Sequence, residues 1–76
     1  MEKLYKINSI RFSEDEMIIT IDHQQYNINL RNVSSRLLNA SDDERNNFEL
    51  SPQNYGIHWP MIDEDLAINN LIEKSK

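Results

Sequence analysis

One cluster of side chains combines the residue types that acid–base catalysis or metal binding would require. It consists of His58 and three contiguous acids, Asp63, Glu64 and Asp65. Contiguous side chains leave a regular helix or strand in different directions, so these acids cannot all converge on one centre. A zinc site would also need a second histidine or cysteine, and the other histidine, His23, lies in a distant predicted turn. A metal-dependent enzyme that uses His58, Asp63 and Asp65 is therefore the least favoured of the functions considered below.

The rest of the sequence offers no other catalytic or cofactor-binding pattern. There is no cysteine, which excludes thiol catalysis and thiolate metal sites. The only glycine is Gly56, so no glycine-rich loop can wrap a phosphate with backbone amides. No serine stands in a nucleophile-elbow context. The sequence predicts a protein that is not an enzyme and that binds no cofactor and no metal ion.

Length and charge limit the class of protein and of partner. The chain has 76 residues, which predicts a single domain over residues 1–76, and a formal net charge of −5. An acidic surface repels phosphate backbones and the basic residues are scattered, so direct nucleic-acid binding by this domain is not expected. A basic protein partner fits this charge better. Because no apolar stretch has the length of a signal peptide or a membrane span, and the lack of cysteine fits a reducing compartment, a cytoplasmic location without membrane contact is predicted.

The amino-terminal part of the chain alternates apolar and polar residues with the period of β-strands. In residues 4–12 the apolar phase changes, which predicts a bulge near Asn8 and Ser9. Each of the next two strands places its apolar residues on one face. These residues are Met17, Ile19 and Ile21 in the first of the two strands and Tyr26, Ile28 and Leu30 in the second. Short polar connections between these strands predict an antiparallel meander with one buried face.

Helix-start patterns follow the strands. Asn32 is predicted to cap one short helix, and Ser41 with Glu44 matches a capping box for a second. A last helix is predicted from about residue 67 to residue 74, with Asp63 or Asp65 as its cap.

The remaining strands are predicted around Phe48 and over residues 57–59, where Pro60 ends the second of them. On that strand Trp59 points to the core and His58 to the opposite face. The predicted core residues of this half are Trp59, Ile57, Leu66 and Leu71. The expected fold class is α+β: a small antiparallel sheet of four to five short strands, with a mixed sheet as the alternative, and two to three short helices.

Two motifs stand out in the carboxyl-terminal half: Ala-Ser-Asp-Asp-Glu-Arg at residues 40–45 and Gly-Ile-His-Trp-Pro-x-x-Asp-Glu-Asp-Leu at residues 56–66. Together with Leu71 and the strand at residues 26–30, they resemble a known bacterial family, the domain of unknown function 2442 (DUF2442). The resemblance spans nearly the whole chain. It departs from the family at the turn over residues 22–25, where the family often has a glycine, which leaves the geometry of that hairpin open.

The resemblance implies a small α+β fold with which no enzymatic activity is associated. Some members of the family carry an additional helix-turn-helix domain. Others are encoded beside a small protein of the domain of unknown function 4160 type, an arrangement that resembles a toxin–antitoxin pair with this family as the antitoxin. No catalytic residues are established for the family, so none can be assigned to this chain by resemblance.

The favoured hypothesis is a non-enzymatic protein-interaction module, the antitoxin half of such a pair, with a basic toxin of the domain of unknown function 4160 type as its partner. Its binding surface is predicted to combine His58, Asp63, Glu64 and Asp65 with an exposed strand edge. The alternative is a regulatory, dimerisation or ligand-sensing domain associated with transcription control, which would act as a homodimer or through a separate DNA-binding protein.

Overall fold

The first sheet is a three-stranded antiparallel meander formed by the amino-terminal part of the chain. The computed structural model describes residues 6–52 and 55–75, so the predicted strand residues 4 and 5 lie outside the described part. The sheet has the order β1-β2-β3. Its strands are β1 (Ile7–Ser13), β2 (Glu16–Ile21) and β3 (Gln24–Asn29).

The predicted bulge in β1 is confirmed. The register between β1 and β2 shifts between Ile7 and Ser9. The residue between them, Asn8, turns its side-chain oxygen towards the next turn and accepts a hydrogen bond from the His23 amide at 3.0 Å. The bulge therefore reconciles the two apolar phases of the strand and also ties β1 to the β2–β3 turn.

The β2–β3 turn has both of its central residues in the left-handed region. The φ angles are 51° at Asp22 and 69° at His23. A two-residue hairpin turn of this type matches the twist of the flanking strands, and it favours asparagine or aspartate followed by glycine. Asp22 satisfies the first preference, whereas His23 occupies the position that glycine would fill without steric strain.

We expect His23→Gly to stabilise the domain by about 0.5–1 kcal/mol, because the relief of left-handed strain exceeds the added entropy of the unfolded chain. The hydrogen bond that the His23 backbone amide donates is retained. Thermal unfolding followed by circular dichroism would measure the gain as a melting temperature higher by a few degrees. His23→Ala is the matched control, since it removes the same ring but keeps the Cβ atom. An equal gain in both variants would contradict the backbone explanation.

A linking segment of short helices separates the two halves of the chain. A 3-10 turn at Leu30–Asn32 is followed by α1 (Ser35–Leu38) and α2 (Asp42–Asn46). The prediction that Asn32 caps α1 is wrong: Asn32 lies inside the 3-10 turn, and the Ser34 hydroxyl caps α1 by accepting a hydrogen bond from the Leu37 amide at 3.1 Å.

The predicted capping box at the start of α2 is confirmed. The Ser41 hydroxyl accepts a hydrogen bond from the Glu44 amide at 3.2 Å. In return the Glu44 carboxylate accepts one from the Ser41 amide at 2.9 Å. This reciprocal pairing fixes where α2 begins, although the helix is little more than one turn long.

The carboxyl-terminal strands form a second three-stranded antiparallel sheet of their own. It has the order β4-β5-β6 and is followed by α3 (Ile68–Lys74). Its strands are β4 (Glu49–Leu50), β5 (Gly56–Trp59) and β6 (Glu64–Ala67). The α+β class, the antiparallel pairing and the number of helices are confirmed for the described residues, but the prediction of one sheet with four to five strands is wrong. The short helices of the linking segment separate the two sets of strands along the chain, and in the part that the structure describes β4, β5 and β6 pair only with one another.

The acidic triplet lies in a β-hairpin and not at a helix start. Asp63 ends the four-residue loop at residues 60–63 with a φ of 54°, a conformation that aspartate tolerates. Asp65 lies within β6, and α3 has Ala67 at its cap position without a side-chain hydrogen bond. The prediction that Asp63 or Asp65 caps the last helix is therefore wrong: Asp63 lies in the hairpin loop, and pairing of β6 with β5 holds Asp65 in an extended conformation.

One hydrophobic cluster joins both sheets. Among the described residues its buried members are Met17, Ile19, Ile21, Ile28, Leu30, Leu37, Ile57, Trp59, Ile68 and Leu71. The β2 and β3 members form the buried face that the alternating pattern predicts. Leu66, another predicted core residue, is half-buried and packs against the cluster. In the described part of the chain, no helix is both long and apolar enough to cross a membrane.

Candidate functional site

The outward face of the second sheet carries a row of ionisable side chains across all three strands. In the register of the sheet, His58 lies opposite Glu49 on one side and opposite Asp65 on the other. The His58 Nδ1 atom lies 2.8 Å from a carboxylate oxygen of Asp65. The side chains of His58 and Asp65 are 39% and 75% exposed, so the pair is open to solvent on the side away from the core.

The other two predicted surface residues lie apart from this row. Glu64 is half-buried, and its carboxylate accepts a hydrogen bond from the Ser34 hydroxyl at 2.6 Å and another from the Asp65 amide at 3.0 Å. Asp63 is exposed, and its backbone carbonyl accepts a hydrogen bond from the Arg36 guanidinium. Of the four predicted residues, the structure therefore brings together His58 and Asp65, while Glu64 joins β6 to the start of α1.

The paired residues form a histidine–carboxylate couple. In the described residues there is no group of three or more histidine, cysteine or acidic side chains that could hold a metal ion. A carboxylate against Nδ1 favours the proton on that nitrogen, which leaves Nε2 of the neutral ring as a hydrogen-bond acceptor for another molecule. The couple can thus orient the imidazole for recognition.

An open cleft of about 480 Å³ adjoins the couple. It is bordered by Ser51, Tyr55, Gly56, Ile57, His58, Asp65, Leu66, Ala67 and Asn70. Its lining includes the cross-strand pair of Gly56 and Ala67, whose small size leaves room for the cleft between the larger neighbours. A Cβ atom at Gly56 would lie 3.2 Å from the Leu66 carbonyl oxygen, so close strand packing explains the glycine.

Sequence reasoning missed Arg45, which is 7% exposed. Its guanidinium donates hydrogen bonds to the backbone carbonyls of Leu37 at 3.0 Å, Leu38 at 3.1 Å and Glu14 at 2.7 Å. The guanidinium carbon also lies 5.6 Å from the centre of the Phe12 ring. Arg45 thereby fastens the end of α1 and the β1–β2 turn to α2. No sequence signal identified this role, because an arginine next to a capping box is usually solvated.

The Trp59 indole joins this arrangement from the second sheet. Trp59 is fully buried, and its Nε1–H donates a hydrogen bond to the backbone carbonyl of Arg45 at 2.9 Å. Its ring also packs at a tilt against Phe48, with 6.3 Å between the ring centres. The two motifs of the sequence, one ending at Arg45 and the other containing Trp59, therefore meet in the core.

A family model described as a protein of unknown function (DUF2442) matches residues 7–76. The chain belongs to the DUF2442 family. No curated protein and no solved structure gave a significant match. Within this DUF2442 domain, the motif residues Arg45, Gly56 and Trp59 maintain the packing described above. His58 and Asp65 are the motif residues that face outward as a pair.

Proposed function

We propose that this DUF2442 domain is a non-enzymatic protein-binding module for a basic protein partner. The observation that carries the proposal is the exposed row of Glu49, His58 and Asp65 beside an open cleft on the outward face of the second sheet. Carboxylates on both sides of the imidazole would attract a cation, and the cleft offers apolar walls next to it. Such a combination of charge at the rim and concave apolar surface is typical of protein recognition.

The distribution of charge supports a basic partner. The formal net charge is −5, and among the described cations Arg45 is buried while Arg31 lies 2.9 Å from an Asp15 carboxylate oxygen. The Arg36 guanidinium is engaged by the Asp63 carbonyl. With 13 acidic side chains against 8 lysines and arginines in the sequence, negative charge exceeds positive charge. Charge of this kind mainly raises the association rate and orients the partner, and it disfavours phosphate backbones.

The partner we propose is the product of the neighbouring gene, a basic protein of the domain of unknown function 4160 type, with this domain as the antitoxin of the pair. This assignment follows from the gene arrangement that the family resemblance implies. An antitoxin needs no catalytic centre, because it acts by covering its toxin. The binding surface would be the row on the second sheet.

Co-expression with the neighbouring gene product tests the proposal. We expect the two proteins to co-purify and the domain to relieve any growth defect that its neighbour causes. Asp65→Lys should weaken the complex by about tenfold, since it replaces an attraction by a repulsion at the contact surface. Glu16→Lys is the matched control, because it makes the same charge change at an exposed position of the first sheet. If the wild-type proteins do not co-purify and neither affects growth, the proposal is wrong.

A further inference from the structure

The edge strand β4 has backbone hydrogen-bonding groups on the side that faces away from β5. It is an edge strand of the second sheet, and among the described residues it pairs only with β5. The Ser51 amide donates to the Gly56 carbonyl at 3.0 Å, which marks Ser51 and Gly56 as a hydrogen-bonded pair. Hydrogen-bonded and non-hydrogen-bonded pairs alternate along an antiparallel ladder, so the backbone amide and carbonyl groups of Glu49 point towards His58 as those of Ser51 point towards Gly56. The amide and carbonyl groups of Phe48 and Leu50 therefore point away from β5.

Apolar side chains accompany these backbone groups. Among the described residues, the large hydrophobic side chains with the greatest exposure are Leu50 at 40% and Met61 at 53%. Leu50 lies in β4, and the Met61 sulfur lies 3.1 Å from the side-chain nitrogen of Asn47, just before β4. Phe48, just before β4, is half-buried against Trp59. We define Phe48, Leu50 and Met61 as the β4 edge strip.

The other sheet edges are less suited to accept a strand. At β6 the Glu64 carboxylate binds the Ser34 hydroxyl and the Asp63 carbonyl binds Arg36, so the region around α1 occupies that edge. In the first sheet, β1 carries the bulge next to Asn8, a device that disfavours further pairing. The last strand of that sheet, β3, lies in contact with α3. The β4 edge is therefore the one best suited to accept an added strand.

We propose that β4 accepts an added β-strand from the protein partner, an extended segment in which apolar residues alternate with lysine or arginine. The apolar residues of that strand would pack on the β4 edge strip. Its lysine or arginine side chains would lie next to Glu49 on the outward face, so that the row of Glu49, His58 and Asp65 would continue onto the added strand. The inference rests on the proposed function and specifies which segment of the partner is bound.

A second copy of this chain is a poorer occupant of the same edge. Pairing two β4 strands would bring together two exposed Glu49 side chains on chains that each carry a formal net charge of −5. Like charges across neighbouring strands oppose pairing. Charge complementarity therefore favours a basic segment.

Titration of the isotope-labelled domain with a short blocked peptide of alternating valine and lysine tests the inference by amide NMR. We expect the peptide to shift the Phe48 and Leu50 amide signals and to slow their hydrogen exchange. A peptide of alternating valine and glutamate should bind at least about tenfold more weakly. Glu49→Lys should reverse this preference between the two peptides, whereas the control Glu16→Lys should leave it unchanged.

Two results would overturn the inference: equal binding of both peptides by the wild-type domain, or shifts that avoid β4. Protection of the Phe48 and Leu50 amides without peptide, together with a concentration-dependent dimer, would instead identify a second copy as the occupant.

Failure of the inference is distinguishable from failure of the proposed function. Suppose that the neighbouring protein co-purifies equally with wild type and with Glu49→Lys but is lost with Asp65→Lys. The module then binds its partner through the surface around Asp65 and not through β4, so the strand-addition inference alone is wrong.

Discussion

Arg45→Ala is expected to destabilise the domain by about 3–5 kcal/mol, because it removes hydrogen bonds to three backbone carbonyls and opens a gap beside Phe12. A chain of 76 residues has a total stability of roughly 4–11 kcal/mol, so the variant would lose a substantial share of it. Urea unfolding followed by tryptophan fluorescence measures the difference directly, since Trp59 is the only tryptophan.

Arg45→Lys should recover only part of the loss. A lysine ammonium is compact and cannot reproduce the planar fork that reaches carbonyls in α1 and in the β1–β2 turn. Arg11→Ala is the control, since Arg11 is an exposed arginine of β1, and it should change the free energy of unfolding by less than about 0.5 kcal/mol. Equal stabilities of Arg45→Ala and Arg11→Ala would show that the buried arginine does not hold these elements together.

Trp59→Ala is expected to reduce the free energy of unfolding by a similar amount, about 3–5 kcal/mol. The indole is fully buried, donates to the Arg45 carbonyl at 2.9 Å and packs on Phe48, so truncation removes a hydrogen bond and creates a cavity. Thermal unfolding by circular dichroism checks the prediction without needing the tryptophan signal.

Trp59→Phe separates the two contributions of the indole. It keeps most of the apolar contact and loses the Nε1–H donor, so it should cost about 1–3 kcal/mol. Met61→Ala is the control for a large apolar residue that is exposed, and it should be nearly neutral. A Trp59→Ala variant with an unchanged melting temperature would contradict the assignment of this ring to the core.

The first sheet could be predicted from sequence because its signals are local. Alternation of Met17, Ile19 and Ile21 sets the buried face of β2, and the phase change near Asn8 locates the bulge. The capping box of Ser41 and Glu44 is equally local, since both partners lie within one helical turn. Patterns of this kind require no knowledge of the rest of the fold.

The second half of the fold depended on contacts that a sequence pattern does not encode. An acidic run before a helix is a common cap, but here pairing with β5 draws Glu64 and Asp65 into a strand. Likewise, nothing in the sequence says whether β4 and β5 join the first sheet or form another. In both cases long-range strand pairing, and not a local sequence preference, determined the structure.

In the candidate site, too, local features could be predicted from the sequence and long-range contacts could not. Alternation along β5 predicted that His58 and Trp59 would face opposite sides, and the structure has them so. The partnership of His58 with Asp65 and Glu49 needed the strand register, and the burial of Arg45 needed three carbonyls from distant parts of the chain. Residues whose roles come from tertiary contacts cannot be recognised by spacing alone.

The motifs of this DUF2442 domain thus divide into two groups. Arg45 and Trp59 make contacts that hold the two halves of the molecule together, and Gly56 allows close strand packing within the second sheet. His58 and Asp65 face outward and, with Glu49 of β4, form the surface to which we assign partner binding. Separating these groups matters for mutagenesis, because loss of binding in a variant of the first group would reflect unfolding.

Hydrogen–deuterium exchange on the domain co-purified with its neighbouring gene product tests the central claim most directly. We predict that complex formation slows exchange in the backbone amides of Phe48 and Leu50 and in the segment around His58 and Asp65. Amides of β1 should exchange as they do in the free domain. Slowed exchange confined to the first sheet, or failure to isolate any complex with a folded neighbouring protein, would contradict partner binding through the second sheet.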